Sequence, residues 1–293
     1  MHHYDHRWAS FKENSDEFEN IAAGGACGKE SASTFAMPRR WAAAKGKVSA
    51  RRGARDVELA GVADRLAAQG WDREWVCGWR DVARVTDERT AIVGFIPATA
   101  VSDKFPLMFP QVSAHLAAGL VAAQASLVFD FTSRQKVGSA NMAMFMWKQL
   151  PVPTPAMLEP HLPFILLRVL ELVYTAWDME PLARDLGDEG TPFRWDEERR
   201  ALLRAELDAF FFRMYGIDDP ADVEYILDTF ATETGGLRHH EIAKYGEYRT
   251  RRLVLDAHAR MDTPTPAGIR YATPLTPPPG QGPRHPAQSK VSE

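Results

Sequence analysis

The sequence predicts an α+β protein, and three features along the chain support this. Short apolar runs that end near proline alternate with helical patterns in the first half, whereas only helical patterns follow from about residue 154. The end of the chain is rich in proline and poor in apolar residues. We therefore expect a small mixed β-sheet with flanking helices over residues 1–153, a helical region over 154–261 and a disordered tail over 262–293.

The expected strands are short. Residues 75–79 have the composition of a strand, and the continuous apolar run at 91–96 predicts a second, buried strand that ends at Pro97. Residues 105–109 contain proline, which favours a short strand at a sheet edge. Methionine alternates with alanine and aromatic residues over 142–147, which predicts a fourth strand buried on both faces.

Apolar spacing and end signals predict the helices. Residues 113–131 form one long helical pattern with a broad apolar face. Asp196 is expected to cap a helix that ends at Gly216, and Asp219 caps the next, at 221–230, with Pro220 at its first position. Further helices are predicted at 57–68, 158–187 and 242–261.

Composition limits the classes of function. The formal net charge is −4, so any nucleic-acid binding must come from a local basic face. The two cysteines, Cys27 and Cys77, indicate a reducing compartment and no disulfide framework. No apolar run is long enough to span a bilayer and no signal peptide follows Met1, so we expect a cytoplasmic protein with no membrane partner.

Two basic stretches are candidates for contact with phosphate. The first has seven basic residues from Arg39 with no acid until Asp56; its main candidates are Arg39, Arg40, Arg51 and Arg52. The second lies in the last predicted helix, where few acidic partners are expected for Arg249, Arg251 and Arg252. For the first stretch, a solvated loop and helix start is an equally open interpretation.

Several separated motifs in order resemble one family. They are Arg80-Asp81-x-x-Arg84-x-Thr86-Asp87-Glu88-Arg89-Thr90, Gln149-Leu150-Pro151-Val152-Pro153, the entry motif His2-His3-Tyr4-Asp5-His6-Arg7-Trp8 and the closing motif Tyr245-Gly246-Glu247-Tyr248-Arg249-Thr250. Together they resemble the target-recognition region near the C-terminus of adenine-specific DNA methyltransferases, of the type IIG-like restriction–modification and phage-defence kind. The resemblance covers about residues 1–261.

The resemblance implies double-stranded DNA as a partner, together with a methylase domain or subunit. The chain carries neither the glycine-containing loop for S-adenosylmethionine nor an Asn-Pro-Pro-Tyr-type adenine loop. We therefore expect no catalytic residue and no cofactor in this chain, with S-adenosylmethionine bound by the partner. The first match begins at residue 2, which favours a truncated gene or a split system.

The same resemblance gives the expected site. We expect Arg80, Arg84 and Arg89 to contact DNA, because a guanidinium group matches guanine O6 and N7 and also binds phosphate. Asp81, Thr86 and Glu88 are expected to hold these groups in place. The predicted DNA-binding set also includes Arg134, Lys136, Asn141 and Lys148.

Structural alternatives stay open for this set. The acids and arginines could form an ion-pair cluster at a sheet edge, and Arg134 and Lys136 could simply complement the dipole of the helix before them. A protein-interaction subunit without enzymatic activity is the alternative function. A zinc site at His2, His3, His6 and Cys27 fits no standard spacing, and no carboxylate cluster supports a hydrolase.

Overall fold

The computed structural model describes residues 61–84, 87–138, 140–231 and 235–287. They divide into two compact units. The sheet unit contains residues 61–81 and 94–111, and the helical unit contains residues 82–93 and 112–287. Residues on both sides of position 153, where the sequence suggested a boundary, belong to the helical unit.

The sheet unit contains one helix and a small sheet. Helix α1 (Val62–Ala68) precedes strand β1 (Trp75–Trp79), followed by β2 (Val93–Pro97, all but Val93 in this unit) and β3 (Leu107–Met108). The sheet is antiparallel rather than mixed, with the order β2-β1-β3. All three strands predicted in this part of the chain are confirmed, including the edge position of β3.

Aromatic side chains form the core of the sheet unit. The rings of Trp71 and Trp75 meet edge to face with centroids 5.1 Å apart, and Phe95 packs on Trp75 at 5.3 Å. The indole nitrogen of Trp71 donates to the carbonyl of Trp75 at 2.7 Å, so the burial of this polar group is compensated. A side chain at Gly78 would collide with the carbonyl of Pro106, which explains the glycine.

The helical unit is built around α8. Its elements are α2 (Ala114–Gln124), α3 (Leu127–Lys136), α4 (Met144–Trp147), α5 (Pro155–Leu158), α6 (Leu162–Val173), α7 (Glu180–Asp185), α8 (Glu197–Met214), α9 (Pro220–Asp228), α10 (Gly236–Tyr245) and α11 (Arg249–Arg260). Helix α8 packs against α11 on one side and α6 on another, and it supplies the buried aromatic residues Phe210, Phe211 and Phe212.

The predicted caps are confirmed. The side chain of Asp196 accepts from the backbone of Arg199, and that of Asp219 accepts from Ala221. Gly216 follows α8 with a φ of 78°, a conformation that favours glycine. Local end signals were therefore sufficient to position these helices.

The predicted helix at 113–131 is two helices, with α2 bent by 62° from α3. Ser126 caps the second helix through Phe129 N, and its hydroxyl donates to Ala123 O at 2.6 Å. Asp208 of α8 accepts from Leu127 N at 2.7 Å. These side chains satisfy polar groups that the break exposes. Among the described residues, no single helix is long and apolar enough to cross a bilayer; only the bent pair of α2 and α3 reaches that composition.

The strand predicted at 142–147 is wrong, because this segment forms the short helix α4. Met142 and Trp147 are buried, and Trp147 packs on Phe129 at 5.3 Å. Met144 is 43% exposed and Phe145 is 62% exposed. The alternation of apolar residues matched a strand, but the helix buries only one side of the segment.

The single helix predicted at 242–261 is also divided. Gly246, with a φ of 76°, ends α10 and separates it from α11. This glycine forms a left-handed C-terminal cap, which is a common way for a helix to end.

The tail predicted to be disordered is ordered over residues 262–287, which we call the strap. Glu206 of α8 accepts from the hydroxyls of Tyr271 at 3.1 Å and Thr273 at 2.6 Å. Arg199 donates to the carbonyls of Pro277 and Pro278 at 2.6 and 3.1 Å. Prolines lack a backbone donor but keep the acceptor, so buried arginines can bind a proline-rich segment that has little apolar content.

Candidate nucleic-acid interface

The predicted site residues lie in several different environments. Arg39, Arg40, Arg51, Arg52 and Thr86 lie outside the described residues, as do the histidines and Cys27 of the rejected zinc site. In the sheet unit, Arg80 directly follows β1 and is half-buried. Asp81 pairs with Lys104, with the carboxylate and ammonium 3.6 Å apart.

Arg89 is buried in the helical unit, where it binds α3. Its Nε donates to Asp130 Oδ2 at 2.6 Å, and its Nη2 donates to Ala125 O at 2.6 Å. The backbone nitrogens of Thr90 and Ala91 donate to the same carboxylate at 3.1 and 3.2 Å. Arg89 therefore serves as a structural group in this conformation, and its guanidinium is not presented to a ligand.

Arg134 is bound to the same carboxylate from the next turn of α3. Its Nε lies 3.4 Å from Asp130 Oδ1, and its Nη2 donates to the carbonyls of Asp87 and Glu88. The guanidinium also stacks on Phe230, 4.2 Å from the ring centroid. Burial lowers the pKa of Arg134.

We call Arg89, Asp130, Arg134 and the backbone they bind the Asp130 network. Asp130 is fully buried and was not singled out from the sequence. The available signal was its position inside the apolar run of α3, since a buried carboxylate needs cationic or N–H partners. Glu88 was expected to hold an arginine; its carboxylate instead lies 2.6 Å from Nδ1 of His240.

The arginines of α11 have more acidic partners than the sequence suggested. The pairs are Arg249 with Glu198, Arg251 with Glu224 and Asp228, and Arg252 with Glu247. The expectation failed because Glu198 lies on α8 and Glu224 and Asp228 lie on α9, far away in sequence. Arg249 is also buried against the Tyr245 ring at 3.8 Å. These pairs neutralise much of the predicted phosphate-binding face.

The other predicted residues come together on one part of the helical unit. Val82 forms an antiparallel bridge with Asn141, and Ala83 N donates to Ala140 O at 2.8 Å. Lys136 Nζ lies 3.4 Å from the side-chain oxygen of Gln149, just after α4. We call this the basic surface; it consists of residues 82–84, 136–138, 140–141 and 144–149.

The basic surface presents three exposed cations, which are Arg84, Lys136 and Lys148. Among the residues that the structure describes, no carboxylate pairs with any of them. The surface also carries the exposed Asn141 and the exposed ring of Phe145. Sequence reasoning missed Phe145, because it assigned the whole methionine and aromatic segment to the core.

The Asp130 network is connected by hydrogen bonds to the backbone of the basic surface. The Thr90 hydroxyl donates to the carbonyl of Arg84 at 3.0 Å, while the Thr90 backbone nitrogen is bound by Asp130. The buried carboxylate is thus connected through Thr90 to the exposed arginine. Within the first motif, Arg84, Arg89 and Thr90 therefore have different structural roles.

No protein-family model, no curated protein and no solved structure matches this chain. Within the described ranges, no group of three or more His, Cys, Asp or Glu side chains is arranged to hold a metal ion.

Proposed function

We propose that this chain is the DNA sequence-recognition portion of a site-specific adenine-N6 DNA methyltransferase of a restriction–modification or phage-defence system. It is not catalytic alone, and a methylase domain or subunit supplies S-adenosylmethionine and the adenine pocket. The order of the sequence motifs supports the family. The arrangement of the basic surface supports contact with DNA.

The observation that carries the proposal is the environment of Arg84, Lys136 and Lys148. Exposed cations that form no ion pair with a described carboxylate can each bind a phosphate and release a counterion, which makes binding depend on salt. Asn141 lies among them, and an asparagine side chain can pair with the N6 and N7 edge of adenine. Phosphate contacts would therefore position the chain, and a base contact would specify the sequence.

Arg89 and Arg134 have a different role in the proposal. They are not DNA-contacting residues, because their donors are bound to Asp130 and to backbone carbonyls. They instead hold the segment 87–91, which positions Arg84 through Thr90. Arg84, Lys136, Asn141 and Lys148 therefore form the proposed contact set.

Binding to a randomised duplex pool at low and moderate salt, followed by sequencing of the retained duplexes, tests the proposal. We expect enrichment of one short motif that contains adenine, and retention that falls steeply as salt rises. Replacing Asn141 with alanine should relax the sequence preference, and Arg84→Ala should weaken binding to all duplexes. Methyl transfer by the isolated chain would contradict the proposal.

A protein-interaction subunit of a defence complex is the second candidate. The exposure of Phe145 and Met144 on adjacent positions favours it, because large apolar side chains at a surface often mark a protein contact. Absent or salt-insensitive DNA binding, together with a partner whose capture requires Phe145, would favour this function over the first.

A further inference from the structure

Phe145 is held outward by the way in which α4 is anchored. Successive residues of a helix are rotated by about 100°, so Phe145 and Trp147 point in nearly opposite directions. Trp147 is buried against Phe129, and Leu150 is buried directly after the turn. Because the opposite side of the turn is fixed in the core, the Phe145 ring cannot reach the interior without unpacking Trp147.

The turn is also closed by its own backbone. Lys148 N donates to Met144 O at 3.0 Å, and Gln149 N donates to Met146 O at 3.0 Å. Phe145 thus projects from a rigid support rather than from a loose loop. Such preorganisation reduces the entropy that is lost when an exposed side chain binds a ligand.

Cationic groups lie on both sides of the ring. Lys148, the C-terminal cap of α4, is rotated by about 60° from Phe145 in one direction by the helical period, and the tighter turn that follows, in which Gln149 N donates to Met146 O, places Gln149 in the other direction. Gln149 lies within 3.4 Å of the Lys136 ammonium, so this lysine lies on the second side. An aromatic ring between two exposed lysines matches a ligand that combines flat apolar faces with negative charge.

Charge complementarity therefore selects the occupant. A purely apolar protein groove would have to desolvate Lys136 and Lys148 without a counter-charge, which is unfavourable. Nucleic acid supplies phosphates for the lysines and a base face for the ring. Proteins that bend or unstack DNA insert apolar side chains between base steps in this way, and aromatic rings stack on exposed bases.

We propose that Phe145 is a stacking wedge that inserts against an unstacked base of duplex DNA, while Lys136 and Lys148 bind the flanking phosphates. This inference rests on the proposed function and adds to it that the DNA is deformed on binding. Part of the recognition then depends on how easily a base step unstacks, in addition to base-edge contacts.

The fluorescence of 2-aminopurine tests this wedge. This base replaces each adenine in turn in the duplexes that were retained from the pool. The fluorescence of this base rises when it is unstacked. We expect the wild-type chain to raise the fluorescence at one or two positions, and Phe145→Ala to abolish the rise. Loss of one stacked base should weaken binding by about 5- to 150-fold.

Two further variants separate stacking from other effects. Phe145→Trp should restore both the affinity and the fluorescence change, because it keeps an aromatic face. Tyr225→Ala removes an exposed aromatic side chain of α9, outside the basic surface, and should leave both nearly unchanged. The dependence of affinity on salt should be the same in Phe145→Ala as in wild type, because the phosphate contacts remain.

The outcomes are distinguishable. Salt-dependent DNA binding with no fluorescence change, and with equal affinity for Phe145→Ala, would overturn the wedge and leave the proposed function standing. If the wild-type chain shows no salt-dependent binding, both are overturned. Loss of a protein partner on Phe145→Ala, with DNA binding intact, would assign the ring to protein docking and would also overturn the wedge.

Discussion

Two groups of cationic side chains in the helical unit differ in their surroundings. Arg89 and Arg134 are buried against one carboxylate, whereas Lys136 and Lys148 are exposed at the basic surface, where no described carboxylate pairs with them. Arg134 and Lys136 are only two positions apart on α3 and still belong to different groups. Residue type and motif membership therefore do not determine whether a cation stabilises the fold or is available to a ligand.

The two groups also differ in energetic terms. Removing charges from water is costly, and Asp130 repays this cost by accepting from Arg89, Arg134 and two backbone nitrogens at once. Exposed cations remain hydrated and contribute little to stability. The buried group should therefore be sensitive to mutation in unfolding assays, and the exposed group only in binding assays.

Replacing Asp130 with alanine should give the largest effect. Arg89 would be left buried without its counter-charge, and such a loss costs about 3–5 kcal/mol of unfolding free energy. Urea unfolding followed by circular dichroism measures this loss. Lys148→Ala is the exposed control. A broken buried pair should cost more than this control. If Asp130→Ala lowers the unfolding free energy by less than about 1 kcal/mol, the buried and exposed cations do not differ in their contribution to stability.

The ion pair of Glu171 with Arg199, which binds the strap, tests whether a second buried pair contributes to stability as the Asp130 network does. Glu171 accepts from Arg199 and from Gly280 N at 2.9 Å, so Glu171→Gln should weaken a charge-assisted contact by about 1.5–3 kcal/mol. We expect faster hydrogen exchange and faster proteolytic cleavage within residues 262–287. The control is Glu189→Gln, at an exposed acid. Equal protection of the strap in both variants would show that prolines alone order it.

The pH dependence of the unfolding free energy tests whether the buried imidazole of His258 stays neutral in the folded protein. Burial lowers the pKa of His258, and its Nε2 lies 3.1 Å from Ile217 O, which can only accept. Nδ1 is buried with no hydrogen-bond partner among the described residues, so protonation there is unfavourable. The unfolded chain then binds an extra proton below its ordinary pKa of about 6.5, and stability falls as the pH falls.

The slope of this contribution lies between pH 6.5 and the lower folded pKa, and its upper limit is about 1.4 kcal/mol per pH unit, the value for one proton. His258→Gln keeps a donor for Ile217 but cannot titrate, so its stability should change less over this range. His161, whose pKa burial also lowers, accounts for part of the remaining slope. Identical slopes in wild type and His258→Gln would contradict the assignment.

The sequence predicted the parts of the fold that local signals determine. The strands at 75–79 and 107–108 and the caps at Asp196 and Asp219 follow from composition and end signals. The break at Ser126 combines a local cap with an acceptor from Asp208, which is distant in sequence, and the continuous apolar pattern of 113–131 concealed it. Segment 142–147 failed for a related reason, since its pattern fits a strand and a half-buried helix equally well.

The sequence predicted which residues come together at the candidate site, but not which of the predicted cations are buried. The motif and the polar positions at and after the end of α3 pointed to Arg84, Lys136, Asn141 and Lys148, which the structure brings together. The sequence could not separate them from Arg89 and Arg134, because Asp130 carries no motif signal and lies about forty residues from Arg89, although it is on the turn before Arg134. The exposure of Phe145 was also hidden, since solvent contact depends on which side of α4 packs inward.

The exposed cations provide the last test of the comparison, with the smallest effect on stability. Lys136→Ala and Lys148→Ala should each change the unfolding free energy by less than about 0.5 kcal/mol, because neither ammonium lies in a buried network. Each should nevertheless reduce the slope of the logarithm of DNA affinity against the logarithm of salt concentration by about one, as expected for one lost phosphate contact. Lys244→Ala, at an exposed lysine of α10 that lies outside the basic surface, is the matched control. If all three variants lower the slope equally, the attraction is a general property of the charged surface and the basic surface has no special role. If only Lys136→Ala and Lys148→Ala lower the slope, the DNA phosphates lie beside Phe145. The buried cations then stabilise the fold, whereas the exposed cations bind DNA.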